Sequence, residues 1–281
     1  MDTLFEDCYD VTRSPDFMPP VSYQGGKSRI ADKIVGIMKP SSMFYDLCCG
    51  SGAISIAIRK SGVDPQSIIM IDAGPWGKFW EMVGKGVFDL NTFWSYCDSV
   101  PKDLSKVQDY MISLSQEIID DNFVYVYLLL QASSFGAKAI WIEDGKWKNL
   151  SCRDHWHPTN ESNRRSPVNP MTPMPETIFQ RAKSLCGGMK GITGIYGNVE
   201  DVKIVDKSVV YCDPPYLETT GYGHVMDMSR VVENAKGSKL YISEGKSLSP
   251  MSWKISEGRK KGGISGDRKV ANEEWLSLMV P

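Results

Sequence analysis

Residues 43–52 read Met-Phe-Tyr-Asp-Leu-Cys-Cys-Gly-Ser-Gly. The apolar run at the start of this stretch predicts a buried strand that ends near Leu47. The glycines at its end predict a tight turn, and Ile54, Ala57 and Ile58 follow at the spacing of one helix face. A strand, a glycine turn and a helix in this order predict a βα unit of an open α/β sheet.

A second strand follows at the distance expected for such a unit. It spans Ser67 to Ile71 and ends in Asp72, about 20 residues after the glycines. In nucleotide-binding βα units the glycines let the backbone approach the ligand, and an acid at the end of the second strand binds ribose hydroxyls. Gly50, Gly52 and Asp72 are therefore candidate nucleotide-binding residues.

A further strand end carries the most specific motif of the chain, Tyr211-Cys212-Asp213-Pro214-Pro215-Tyr216, directly after two valines. The Asp213 carboxylate accepts hydrogen bonds, and the prolines stiffen the backbone so that the Pro214 carbonyl offers a second acceptor. Tyr216 adds a ring for stacking, and a base–aromatic stack is worth about 1–3 kcal/mol. Two acceptors beside a ring suit the exocyclic amino group of a nucleobase. A proline-stiffened turn without chemistry is the alternative.

A glycine pair precedes the first predicted helix. The stretch is Tyr23-Gln24-Gly25-Gly26-Lys27, and apolar residues at helical spacing follow from Ile30 to Met38. Backbone N–H groups at the start of a helix, next to a lysine, predict a place where an anion binds. A purely structural turn is the other interpretation, because short glycine motifs are common.

The bulk composition describes a globular protein with free thiols. The chain has 281 residues, 42% hydrophobic and 23% charged. Its seven cysteines show no repeated C-x-x-C pairing, which favours a reducing compartment. The acidic start has no export signal, and the longest apolar run, 123–130, is too short to span a bilayer and predicts a buried helix. We therefore expect a cytoplasmic protein that does not enter a membrane.

The spacing of cysteines and histidines does not favour a metal site. Cys152, His155, His157 and the distant Cys186 match none of the paired short motifs that hold zinc. We expect no bound metal.

A basic and aromatic region lies between residues 137 and 175. The net charge of the chain is only −2, so binding to DNA requires cations concentrated on one face. Cations for phosphate and planar groups for base edges or for the gap left by a flipped base characterise DNA-reading surfaces, although a solvated loop explains the same composition. The candidate DNA-binding residues are Lys146, Lys148, Arg153, Arg164 and Arg165, interleaved with Trp141, Trp147, Trp156 and His157.

The order of these motifs resembles one known family over nearly the whole chain. G-G-K, D-x-x-x-G-x-G, an acid after the second strand, a long insertion and D-P-P-Y are similar to the Dam-like DNA N6-adenine methyltransferases, especially phage-encoded members. The resemblance implies an α/β fold with a Rossmann-like class I methyltransferase sheet. Residues 1–85 and 191–281 would form the catalytic domain that binds S-adenosylmethionine, and 86–190 an inserted, mainly helical DNA-recognition domain.

The resemblance also implies roles for single residues. Asp213 and Pro214 would hold the two hydrogens of the target amine, within a catalytic motif completed by Pro215 and Tyr216. Cofactor contacts would come from Tyr23, Gly25, Gly26, Lys27, Asp46, Cys48, Gly50, Gly52, Asp72, Asn198, Val199 and Asp213. The expected partner is double-stranded DNA, in the cytoplasm of a bacterial or phage-infected host cell. The protein would be a monomer or weak dimer, either with or without a restriction partner.

Some positions depart from the family pattern. Cys48 stands where an aromatic residue is usual, and Asn198 and Val199 stand for an acid and an aromatic residue. These changes predict weaker cofactor binding. The segment G-x-F-N-V-P-x-G, which accompanies recognition of GATC, is absent apart from a remote echo at 167–170. GATC, a relaxed site and a different site therefore stay open.

Three other functions compete with adenine methylation. N4-cytosine methyltransferases usually carry S-P-P-W, and protein-glutamine methyltransferases carry N-P-P-Y without a long basic insertion. The third is a DNA-binding protein that has lost catalysis, favoured only by the changes at Cys48, Asn198 and Val199. Asp213 and Tyr216 favour adenine.

Overall fold

The structure is a computed structural model that describes residues 10–40, 42–117, 119–152, 173–214, 226–257, 260–262, 268–270 and 273–281. Its α-helices are α1 (Ala31–Met38), α2 (Ala53–Lys60), α3 (Pro75–Lys85), α4 (Leu90–Asp98), α5 (Val107–Gln116), α6 (Phe123–Ser133), α7 (Pro175–Gly188) and α8 (Met228–Asn234). Its strands are β1 (Phe44–Leu47), β2 (Ile68–Asp72), β3 (Trp141–Glu143), β4 (Lys146–Lys148), β5 (Thr193–Tyr196), β6 (Val209–Cys212), β7 (Lys239–Glu244), β8 (Ser252–Ser256), β9 (Lys260–Gly262), β10 (Arg268–Val270) and β11 (Glu274–Met279).

Seven strands form one twisted sheet in the order β5-β2-β1-β6-β7-β11-β8. The first five in this order are parallel, and β11 runs antiparallel to both β7 and β8. The chain leaves β1 toward one edge through β2 and β5, and later returns to the other side of β1 with β6. The expected mixed α/β sheet is confirmed, and it is compatible with a Rossmann-like fold.

The inner strands are buried on both faces, as is typical of parallel strands covered by helices. Phe44, Ile68 and Met70 face a large core cluster that includes residues of helices α1 to α7. Leu47 and Ile71 face a second cluster, completed by α8. Side chains alternate between the two clusters because successive strand residues point to opposite faces.

Among its described residues, the segment between α3 and β5 is mainly helical, as expected. Within the part of it that the structure describes, α4 to α7 pack their apolar side chains into the same large cluster as the sheet. Residues Val124–Ser133 of α6 are all buried, so the predicted buried helix is confirmed. Recognition of DNA by this segment stays a prediction. In the described ranges of the chain, no helix is long and apolar enough to cross a membrane.

Candidate active site

The predicted catalytic aspartate lies where the strand order reverses. Strand β6 ends at Cys212, and the amide of Asp213 donates to the carbonyl of Leu47, the last residue of β1, at 3.3 Å. Asp213 therefore lies beside the glycine turn that leaves β1. Crevices at the carboxyl ends of strands, where the order reverses, bind ligands in open α/β sheets.

Lys27 reaches the same place from the N-terminal part of the chain. Its Nζ lies 2.9 Å from Asp213 Oδ1 and 3.6 Å from Glu274 Oε1, and it donates to the Gly25 carbonyl at 3.2 Å. The Lys27 side chain is only 7% exposed. Helix α1 begins later, at Ala31. The ammonium thus lies against two carboxylates, at the end of the sheet where β6 ends and β11 begins.

The glycine pair makes the turn that presents Lys27. The Gly26 amide donates to the Tyr23 carbonyl at 3.0 Å, and Gly25 has a φ of +75°. A Cβ at Gly26 would lie 3.0 Å from the Tyr23 carbonyl oxygen. Both glycines are therefore required by the shape of the turn, whatever they bind.

The Asp213 carboxyl has an unusual pKa. Burial raises the pKa of Asp213 to about 6, and the negative charges of Glu274 and Glu244 raise it as well. The nearby ammonium of Lys27 opposes this by attraction and by a hydrogen bond. Above pH 6 the group is a carboxylate held in one orientation, which is the form that accepts hydrogen bonds from an amine.

The turn after β1 is built from residues in the left-handed region. Cys48, Gly50 and Gly52 have φ values of +59°, +49° and +76°. A Cβ at Gly52 would lie 2.3 Å from Cζ2 of Trp80, whose indole Nε1 donates to the Gly50 carbonyl at 2.9 Å. The backbone of the turn therefore lies directly on α3.

Asp72 connects this turn to the start of α3. Its Oδ2 accepts from the Gly50 amide at 2.9 Å, and its Oδ1 accepts from the Gly74 amide at 2.8 Å. These two contacts fix the carboxylate at the end of β2, where an acid is the usual partner of ribose hydroxyls in nucleotide-binding βα units.

Asp46 lies beneath the turn. It is 2% exposed, and its Oδ2 accepts from Ser55 Oγ at 2.6 Å. Burial raises the pKa of Asp46 to about 7, the Ser55 hydrogen bond lowers it, and the charges of Asp213 and Asp72 raise it. Asp46 therefore supports the turn from below by binding the first part of α2.

A line of aromatic rings runs from Tyr23, which lies beside the glycine turn after β1, to the hairpin β3–β4. The Tyr23 ring lies 5.8 Å from Trp76, Trp76 lies 5.3 Å from Tyr127, and Tyr127 stacks on Trp147 of β4 at 6.0 Å with 12° between the planes. A Cβ at Gly50 would touch Tyr23 Cε1 at 3.0 Å. The hairpin is thus packed, through rings, onto the nucleotide-site candidate.

The predicted DNA-binding residues are only partly described. Lys146 is exposed on the hairpin, and Lys148 Nζ lies 3.6 Å from Glu143 Oε2 across it. The ring of Trp147 packs on Tyr127 with one face, so that face does not take part in base stacking. Arg153, Arg164 and Arg165 lie outside the described residues, as do Pro215 and Tyr216 of the catalytic motif.

The segment after β5 lies next to Asp72, because the Gly197 amide donates to the Asp72 carbonyl at 3.1 Å. Asn198 is exposed there, whereas Val199 is buried in the second core cluster. Tyr196, 46% exposed and in register with Asp72, offers a ring at the end of β5. No sequence motif marks Tyr196 as a site residue.

Several other residues of the site were not predicted from the sequence. Trp76 and Trp80 stand on α3, and their signal is Pro75, the first residue of that helix, three positions after Asp72. Ser55, Ser243 and Glu274 carry no local motif that marks them. Within the described ranges, no group of three or more His, Cys, Asp or Glu residues is placed to hold a metal ion.

A scan of the sequence against protein-family models finds no match, and a search of curated proteins finds no match either. The candidate function of the site is therefore argued from its own geometry.

Proposed function

We propose that the protein is a DNA adenine methyltransferase that transfers a methyl group from S-adenosylmethionine to N6 of an adenine flipped out of the duplex. One observation carries the proposal. Asp213, at the end of β6, lies beside the glycine turn of β1, so that an amine acceptor and a nucleotide-site candidate share the crevice where the strand order reverses.

The residues around the turn fit S-adenosylmethionine. Side chains at Gly50 and Gly52 would collide with Tyr23 and Trp80, so packing within the protein requires both glycines, and the turn keeps the strand–glycine–helix form of nucleotide-binding βα units. Asp72 stands at the end of β2, oriented by the Gly50 and Gly74 amides, at the position where an acid binds ribose hydroxyls. When bound, this cofactor supplies the methyl group. The residues that would hold it are Tyr23, Gly25, Gly26, Cys48, Gly50, Gly52, Asp72 and Asn198.

Asp213 then acts by positioning the amine. As a carboxylate it accepts a hydrogen bond from one N–H of the N6 amine, and the Pro214 carbonyl accepts a hydrogen bond from the other. These two bonds draw the nitrogen lone pair out of conjugation with the ring. Because methyl transfer needs alignment more than acid or base strength, this orientation supplies most of the rate gain. Flipping the base costs a few kcal/mol of unstacking, which contacts in the site repay.

The hairpin β3–β4 favours a nucleic acid as the substrate. Lys146 is exposed on it, and the ring series from Trp147 to Tyr23 holds it on the side of the sheet where the glycine turn lies. Phosphate contacts from such cations position a duplex without reading its sequence. Arg153, Arg164 and Arg165, which lie outside the described residues, are proposed to contribute further phosphate contacts.

The test is to incubate the purified protein with isotopically labelled S-adenosylmethionine and methyl-free DNA, then to digest the DNA and weigh the nucleosides. Cofactor binding is measured in parallel by calorimetry, and Asp213→Ala is the paired variant. Labelled N6-methyladenine from the wild type alone supports the proposal.

Two other outcomes would contradict it. Labelled N4-methylcytosine would keep the positioning role of Asp213 and change the base. Cofactor binding without label in any nucleoside would exclude DNA methylation and favour a DNA-binding protein without catalysis or a different methyl acceptor.

A further inference from the structure

Glu274 stands at the start of the antiparallel strand β11, far in sequence from the two glycine turns and from Asp213. Its Oε1 accepts from Ser243 Oγ of β7 at 2.8 Å and lies 3.6 Å from Lys27 Nζ. The side chain is only 12% exposed. Two neighbouring strands therefore hold this carboxylate against the buried ammonium.

Glu274, Lys27 and Asp213 form a row of alternating charges. The ammonium of Lys27 lies between the two carboxylates, at 3.6 Å from one and 2.9 Å from the other. Burying charges in this way is unfavourable unless each has its partner, and removing one partner leaves another charge uncompensated. The row is thus a strong constraint on where the Lys27 ammonium lies.

We propose that Glu274 is a positioning residue of this site: it holds the Lys27 ammonium beside Asp213, and its own charge, across that ammonium, opposes the carboxylate form of Asp213 that would face the target amine. The role of Asp213 toward an amine rests on the function proposed above. The coupling of the three charges rests on the geometry alone.

The charges predict opposite effects on Asp213. Lys27 stabilises the carboxylate form by attraction, whereas Glu274 repels it. Neutralising Lys27 should therefore raise the pKa of Asp213, and neutralising Glu274 should lower it. The other groups that face Asp213 are Glu244, Asp46, Tyr211 and Cys48. They stay unchanged in both variants.

The experiment compares Glu274→Gln and Lys27→Gln with the wild type. The ionisation of Asp213 is followed by the ¹³C shift of its carboxyl carbon as the pH is changed, with Asp213→Asn identifying the signal. We expect the midpoint to fall by roughly 1 pH unit in Glu274→Gln and to rise by roughly 1–3 in Lys27→Gln. The acidic limb of the pH–rate profile of single-turnover methyl transfer should move in the same directions, with a lower maximal rate in both variants.

The neighbouring Glu273 provides a matched control. It is an exposed carboxylate that pairs with Lys254 at 2.6 Å and does not reach Lys27 in the described contacts. Glu273→Gln removes the same charge from the same strand end and should leave the Asp213 midpoint and the pH–rate profile unchanged. An equal shift in this variant would mean that net charge, not the row, sets the pKa, and would overturn the proposal.

An unchanged or raised midpoint in Glu274→Gln would also overturn it. Should that variant fail to fold, Glu274→Asp keeps the charge but withdraws it from Lys27, and a smaller downward shift is expected; no shift there would count equally against the proposal. The titration needs neither cofactor nor DNA. Shifted midpoints without methyl transfer would therefore refute the proposed function while the coupling stands, and methyl transfer with unshifted midpoints would refute the coupling alone.

Discussion

The ammonium of Lys27 and the carboxylate of Asp213 lie 2.9 Å apart, although the two residues belong to opposite parts of the chain. Lys27 comes from a glycine turn before the first helix, and Asp213 from the end of β6 in the middle of the sheet. Their contact holds the N-terminal turn against the strand ends. The candidate nucleotide site and the candidate amine acceptor therefore lie next to each other.

Removing the Asp213 carboxylate should separate catalysis from binding. In Asp213→Ala we expect methyl transfer to fall by at least roughly 10²–10³-fold, because the group acts on the amine. Cofactor affinity, measured by calorimetry, should stay within a few-fold. Asp201→Ala, at an exposed aspartate that pairs with Arg230, is the control and should retain activity. Loss of cofactor binding in Asp213→Ala would refute the role of this residue toward the amine.

The glycine turn should tolerate no side chain at Gly52. Gly52→Ala places a Cβ 2.3 Å from Trp80 in a backbone with positive φ. Gly62→Ala is the matched control, since Gly62 has a φ of +94° but nothing within 4 Å of the added atom. Both variants carry backbone strain of about 1 kcal/mol. Overpacking should destabilise Gly52→Ala by about 1–3 kcal/mol more, measured by urea unfolding. Equal losses would show that the turn yields to the added atom.

Stability should depend on pH through Asp46. The pKa of Asp46 is raised in the folded protein to about 7, so its contribution to stability is present at low pH and is lost as the pH rises through 7. Asp46→Asn has no proton to lose. Its free energy of unfolding, relative to the wild type, should therefore increase by on the order of 3 kcal/mol between pH 5 and pH 8.

Ser55→Ala is the complementary variant for this test. It removes the 2.6 Å hydrogen bond that lowers the pKa of Asp46, so its stability should go on falling to a higher pH than that of the wild type. Urea titrations at several pH values measure both variants. Parallel pH profiles for all three proteins would mean that Asp46 is already charged in the fold at low pH.

The hairpin should contribute to DNA affinity through charge. Lys146→Ala should reduce the slope of log K against log salt concentration by about 0.9, because one phosphate contact is lost. Lys236→Ala is the control, since Lys236 is also exposed but precedes β7 at the opposite end of the sheet. Binding of a duplex is followed by fluorescence anisotropy at several salt concentrations. Equal slopes for Lys146→Ala and the wild type would place the DNA surface elsewhere.

Much of the fold followed from local patterns. The buried strands β1, β2 and β6 follow from short apolar runs, and α1 (Ala31–Met38) and α6 (Phe123–Ser133) follow from apolar residues carried by a few neighbouring positions. The sequence does not mark helix α3 as part of the site, because its tryptophans are typical of a core. Only the fold places Trp80 against Gly50. The burial of Val199 could not be predicted from the sequence either, since it depends on α8 and on strands far away in sequence.

By itself, the sequence determined the class of fold and the strand ends at which Gly50, Asp72 and Asp213 stand, because glycine turns, strand periodicity and proline stiffness act over a few residues. Only the tertiary structure decided that Lys27 and Glu274 meet Asp213. That meeting depends on β11 pairing antiparallel with β7 and on the N-terminal turn packing over β6. Contacts between such distant segments are set by the packing of the whole sheet, and no local pattern encodes them.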